Sequence, residues 1–184
     1  MELYVQRGFD QTTVAEIADH AGLTARTFFR YFADKREVLF AGSTTLQDSL
    51  VQALEEAPAT ASPIEAVRAA LDTGATMLGE RHHYSRLRQS VIAANSELQE
   101  RELSKMASLS TALAGGLRRR GISDPDASLA AEVGVAVLRV AFDRWVSGPP
   151  SHTLAQIIGE SFEQVNALTA GGASTTPSAP RSSP

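Results

Sequence analysis

The chain has 184 residues, 43% of them hydrophobic, a formal net charge of −4 and no cysteine. That length allows one domain, or a small domain joined to a larger one, and the apolar share is enough for a sizeable core. The charge argues against indiscriminate coating of nucleic acid, the missing cysteines exclude disulfides and thiolate metal sites, and no apolar run reaches the ~18 residues of a membrane-spanning helix.

Glu2, Gln6 and Arg7 in the first turns do not read as a secretory signal, so a cytoplasmic protein is expected. Every element that periodicity reveals is helical, and the alternating β-branched runs of strands are missing; the fold class is all-α. Residues 1–7 read as the tail of a helix, with Leu3 and Tyr4 inward and Gly8 as its stop. Phe9 should pack under the next helices. Thr13 and Glu16 form a capping box, and Val14, Ile17, Ala18 and Ala21 recur at helical spacing behind it. Gly22 stops that helix, because glycine takes the left-handed conformation without strain. Thr24 caps the next one. It is predicted to bury Leu23, Phe28 and Phe32 and to turn Ala25, Arg26, Thr27, Phe29, Arg30 and Tyr31 toward its open sides. A helix, a glycine turn and a helix of this length form a helix-turn-helix, whose second helix enters the DNA major groove.

Asp34 and Glu37 repeat the capping pattern, so a long helix is expected from Lys35 to about Glu56, with Val38, Leu39, Leu46, Leu50 and Leu54 on one side. Residues 58–62 read as a linker. Ser62, Pro63 and Glu65 start a helix that runs to about Leu78. Others are predicted from His82 to Ala94, from Glu97 to Arg120, from Asp124 to Val146 and from Ser151 to Leu168. The domain boundary falls near residue 42. The chain then divides into 1–42, a small helix-turn-helix domain, 43–168, a larger helical domain, and 169–184, a Gly-, Ser-, Thr- and Pro-rich tail expected to be disordered.

The run Gly8-Phe9, Thr12 to Ala18, Ala21 to Thr24, Thr27 to Phe32 and Asp34 to Leu39 resembles the N-terminal domain of TetR-family transcriptional regulators. The resemblance covers about the first quarter of the chain. It implies a DNA-binding regulator, most often a repressor, with a helical effector-binding and dimerisation domain behind it. One departure stands out: the family's first helix is longer and preceded by a basic arm. Residues 1–40 carry five basic and six acidic residues, a poor balance for contacting DNA. Either the true start lies upstream, which is the expectation here, or DNA binding is weak. So short a first helix is expected to leave Phe9 partly uncovered. A helical ligand-binding or interaction module that has lost DNA binding is the alternative.

By position, the resemblance turns Ala25, Arg26 and Thr27 toward base edges, with Arg26 on guanine. Phe29 would meet a thymine methyl or a sugar. Tyr31 and Lys35 would contact phosphates, as would Thr13, Thr24 and their helix-start N–H groups. Arg30 either lies beside the DNA backbone or pairs with Asp34. Two copies would read a double-stranded palindromic operator as a homodimer. The expected dimer seam is Leu129, Val133, Val137, Leu154, Ile157, Ile158, Phe162 and Val165, with Gly134 and Gly159 allowing close approach; the same stripes also suit an intrachain core. A pocket for a small-molecule effector is expected among Met77, Tyr84, Leu87, Val91, Met106, Leu109, Leu113, Phe142 and Trp145, residues that equally suit plain core packing. Arg86, Arg88 and Arg139 are candidates for an acidic effector. His82-His83 point about 100° apart on a helix and lack a third ligand, so no metal, no cofactor and no catalytic machinery is expected.

Overall fold

A computed structural model describes residues 1–170. Among them are nine α-helices, one short 3-10 helix and no strand. Helices α1 (Glu2–Arg7), α2 (Val14–His20) and α3 (Ala25–Tyr31) form the N-terminal unit. Helices α4 (Ser43–Glu56), α5 (Pro63–Gly79), α6 (His82–Ala93), α7 (Ser96–Arg119), α8 (Asp124–Ser147) and α9 (Leu154–Ala170) form the body. The last helix takes in residues 169–170, which the sequence assigned to the tail. Its cap is Thr153, which exchanges hydrogen bonds with Gln156, rather than Ser151. The rest of the predicted tail, 171–184, lies outside the described residues.

The expected helix from Lys35 to Glu56 is broken. The Asp34 carboxylate accepts the Arg36 and Glu37 amides at 2.8 and 3.4 Å, but the turn it caps is a 3-10 helix, Lys35–Val38. The chain then runs on in turns through Leu39–Gly42, where Gly42 has a φ of +84°, and α4 starts afresh. Gly42 supplies the reason: a left-handed glycine ends one helical run and lets the next set off in a new direction. Leu39 and Phe40, just before it, are buried against Tyr4, Phe9, Val91, Ile92 and Leu98.

The main core lies between α4, α5, α7, α8 and α9, with Leu54, Val67, Leu71, Leu113, Leu117 and Ile158 at its centre. Two glycines set its tightest contacts. A Cβ on Gly134 of α8 would stand 2.3 Å from Val67 Cγ1 of α5, and one on Gly116 of α7 would stand 3.0 Å from Leu54 Cδ2 of α4. Helix axes so close leave no room for even a methyl group. At the end of α7 the Arg120 guanidinium donates to four carbonyl oxygens, of Leu54, Glu55, Ala57 and Pro58. It thereby caps the unsatisfied C-terminal carbonyls of α4.

Candidate nucleic-acid interface

The local chemistry of the N-terminal unit is as the sequence reads. The Thr13 hydroxyl accepts the Glu16 amide, and the Glu16 carboxylate accepts the Thr13 amide at 2.8 Å. The Thr13 N–H holds the Glu16 carboxyl below its usual range, with the Thr13 hydroxyl and Arg7 adding to it. Gly22 takes a φ of +67°, and Leu23 donates back to the Ala18 carbonyl at 2.8 Å, closing the turn. Thr24 accepts the Thr27 amide at 3.2 Å, and the two hydroxyls lie 3.0 Å apart.

Helix α3 is fastened by one aromatic residue and exposed almost everywhere else. Phe28 is buried and stacks at 5.2 Å on the half-buried Phe32. Leu23, expected inside, is exposed: it sits in the turn ahead of the cap, outside the helical face that Phe28 buries. Ala25, Arg26, Phe29, Arg30 and Tyr31 face solvent, Phe29 at 57% and Tyr31 at 65% of full exposure; Thr27 is half-buried. Arg30 does not pair with Asp34. Its guanidinium donates to the Tyr31 hydroxyl at 2.9 Å and lies over that ring, while Asp34 pairs with Arg36. Arg26 joins none of the ion pairs formed among the described residues.

The unfavourable charge balance of residues 1–40 is resolved by placement. Helix α3 carries two arginines and no carboxylate. Five of the six acids of residues 1–40 are engaged elsewhere: Glu16 by Arg7, Glu2 by His20, Asp34 by Arg36, Glu37 by Arg101 and Asp10 by Asn95; Asp19 is the exception. What matters for phosphate attraction is the local surface, and on α3 that surface is positive.

Lys35, expected on a phosphate, is engaged within the protein. Its ammonium donates to the carbonyls of Phe9, Asp10 and Thr12 at 2.8, 3.2 and 3.0 Å and lies 4.3 Å from the Phe9 ring centre. All three of its N–H groups are used to hold the loop between α1 and α2. Phe9 is consequently buried, covered by this cation and by Tyr4, despite the short α1. Nothing in the local sequence distinguishes a caged lysine from a free one.

Residues 61–170 match the family model described as the MftR C-terminal domain, and residues 1–41 match that of the bacterial regulatory proteins of the TetR family. The chain belongs to the TetR family. It is therefore a DNA-binding transcriptional regulator with a helical C-terminal ligand-binding domain. It is 28% identical over 170 residues to a Mycobacterium tuberculosis protein named as the mycofactocin biosynthesis transcriptional regulator MftR, covering 91% of this chain and 85% of that one. It is 37% identical over 70 residues to the transcriptional regulator TcmR of Streptomyces glaucescens, covering 38% of this chain and only 31% of TcmR. The crystal structure of the fatty acid degradation regulator FadR from Bacillus halodurans has the same fold, with a TM-score of 0.60 at 15% identity over 95% of this chain and 92% of that one.

In this TetR-family body the expected seam residues divide. Val137, Leu154, Ile157, Ile158 and Phe162 are buried within the chain, and Gly134 serves the α5–α8 contact; these belong to the intrachain core. Gly159 sits against Arg68 of α5. Leu129 remains at 66% exposure, and Val133 and Val165 are half-buried; Ala136 and Val140, on the same row of α8 as Leu129 and Val133, are exposed. Burial of a helix on two sides hides which apolar stripe faces inward, and α8 is such a helix.

The expected pocket residues also divide. Leu109, Leu113 and Trp145 are buried in the main core, with Phe142 and Met106 packed against it. Val91 belongs to the cluster under the N-terminal unit, Leu87 is half-buried, and Met77 and Tyr84 are exposed. Two clefts among the described residues lie elsewhere. One of about 480 Å³ runs between α4 and α7, past Val51, Thr111 and Gly115. Another of about 450 Å³ lies between the α1–α2 loop and α6, and only Val91 of the expected set lines it. His82 contacts the Trp145 carbonyl at 3.0 Å and its ring edge-on. The polar groups on the inward row of α6 are Ser85, which is buried, and Gln89, whose Oε1 is shielded from solvent and has no hydrogen-bond partner. Arg86 and Arg139 are exposed, and Arg88 is occupied within the protein. No group of three or more His, Cys, Asp or Glu suited to a metal occurs among the described residues, nor is any described helix long and apolar enough to cross a membrane.

Proposed function

We propose that this regulator is a cytoplasmic repressor that binds a palindromic operator as a homodimer and leaves it when a small effector occupies its helical body. The observation that carries the operator contact is α3 itself. It is a seven-residue helix with no carboxylate, capped by Thr24 and anchored by Phe28, that presents Ala25, Arg26, Phe29, Arg30 and Tyr31 to solvent. Arg26 reads a guanine through its two-pronged guanidinium, and Tyr31 donates to a phosphate. Thr13 and Thr24 are caps first; the helix starts they hold offer N–H groups to the DNA backbone.

The dimer reading rests on the outer face of α8. Leu129, Val133, Ala136 and Val140 recur at i, i+4, i+7 and i+11, the spacing of a helix–helix seam, on a row left largely uncovered by its own chain. An effector would enter the helical body beside α6, where the unpartnered Gln89 Oε1 offers an acceptor; leaving such a group unpaired costs about 1–3 kcal/mol, which a ligand's donor would recover.

The test starts from a duplex selected by the protein out of a random pool. Arg26→Ala is expected to lose about 1–3 kcal/mol of discrimination at one base pair of each half-site. Tyr31→Phe is expected to weaken binding to all sequences alike. Equal binding by both variants would remove α3 from the interface. Leu129→Glu with Val140→Glu is expected to give monomers in sedimentation and to abolish binding to the two-half-site duplex; dimers that survive both changes would place the seam elsewhere.

A further inference from the structure

A repressor must convey the state of its body to its recognition helices. The break at Leu39–Gly42 means that no continuous helix does this. A turn with a positive-φ glycine does not by itself fix the direction of the next element, so the orientation of the N-terminal unit has to be set by side chains. Those side chains meet α6 and the first half of α7. Arg36 of the 3-10 helix pairs with Glu97 at 2.6 Å. Glu37 accepts from Arg101 at 2.7 Å and stands 3.7 Å from Lys105. Asn95, which caps α7, donates to Asp10 at 3.1 Å. Beneath them lies the apolar cluster of Tyr4, Phe9, Leu39, Phe40, Val91, Ile92 and Leu98.

One residue holds three of these surfaces at once. Arg88 of α6 donates from Nε to the Leu39 carbonyl at 2.8 Å and from Nη1 to Glu102 of α7 at 2.9 Å, and its guanidinium carbon lies 5.0 Å from the centre of the Phe40 ring. Its ion pair with Glu102 is the least exposed among the described residues, with the two side chains at 19% and 22%. The neighbouring Gln89 belongs to the inward row of α6, with Ser85 and Ile92. A displacement or rotation of α6 driven from within the body therefore moves the Arg88 fork, and with it the turn that carries the N-terminal unit.

We propose that Arg88 is a positioning residue that couples the body to the recognition helix, by fastening the Leu39–Phe40 turn to α6 and α7 together. This rests on the operator-binding reading above. Coupling between sites is reciprocal, so if the body sets the recognition helix, operator binding must in turn alter α6, with no effector needed to see it. Lysine reproduces the link only in part: its ammonium has donors enough, but not the planar, rigid fork that spans the Leu39 carbonyl and Glu102 while lying over the Phe40 ring.

The experiment is hydrogen exchange on the full-length protein, free and saturated with its selected duplex at low salt. In the unsubstituted protein, duplex binding is expected to slow amide exchange in α6 and residues 95–105. Arg88→Gln is expected to abolish that response and to weaken operator binding about 5- to 150-fold, the span of ordinary coupling energies. Arg88→Lys should fall between the two. Exchange in α2 and α3 of the free variants should stay as in the parent, which a general loss of structure would not allow. Should Arg88→Gln fail to fold, Glu102→Gln removes one arm of the link and must reduce the response. An undiminished α6 response in these variants, or no response in the parent bound to its duplex, overturns the role of Arg88 while leaving DNA binding intact. A parent protein that retains no duplex from the pool overturns the operator reading instead.

Discussion

Helix α3 and helix α8 solve opposite problems. Helix α3 has seven residues, of which Phe28 alone is buried; its shape comes from a threonine cap, a glycine turn and one aromatic anchor. Helix α8 has 24 residues, and ten of them are buried against neighbours on more than one side. The first is specified by chemistry within a few residues of itself. The second is specified by what the rest of the chain brings to it. An element that must be offered to a partner depends on local devices, since tertiary contacts would cover the surface it needs to expose.

That contrast can be broken most severely in the body. Gly134→Val would drive a branched side chain into Val67, at a point where even a Cβ would stand 2.3 Å from Cγ1. Overpacking of this kind costs about 1–3 kcal/mol or more, and the melting temperature should fall by several degrees. A variant as stable as the parent would mean that α5 and α8 separate freely.

Arg120→Ala strips the guanidinium from four carbonyls at the end of α4 and should cost about 2 kcal/mol in urea unfolding. No change would show that water caps those groups equally well.

The smallest effect belongs to the N-terminal unit. The Arg36 side chain, with the Arg36 and Glu37 amides, holds the Asp34 carboxyl below the usual range. Its ionised form is therefore favoured in the folded protein more than in the unfolded chain. That contribution is complete above the ordinary aspartate pKa of about 4 and is lost as pH falls through the lower folded value. The side chain is partly exposed, so the term is under about 1 kcal/mol. Asp34→Asn should lower stability at pH 8 by that amount, under about 1 kcal/mol, and flatten the acid limb of the stability profile below about pH 4. An unaltered acid limb would remove the pair from the account.

The same contrast explains what is legible in the sequence. The two capping boxes, at Thr13 and Ser62, and the Gly22 turn are written in adjacent residues and occur in the structure as expected. The continuous helix expected from Lys35 does not form, although its opening carries a proper cap; the break falls at the left-handed Gly42, which the helical spacing of Leu39, Leu46 and Leu50 runs straight past. The seam residues of α8 and α9 divide for a related reason. A helix packed on several faces shows an apolar stripe for each, and periodicity does not tell which one water touches. The engagement of Glu37 with Arg101, or of Arg36 with Glu97, spans some sixty positions of chain and leaves no local mark.

The chain contains just two lysines, Lys35 and Lys105, and both stand at the join between its halves. One is enclosed by backbone carbonyls and an aromatic ring; the other is tethered near Glu37. Amine-reactive reagents thus find their side-chain targets confined to this single region of the molecule. The rate at which those amines are acylated becomes a natural stopwatch for how often the two halves part.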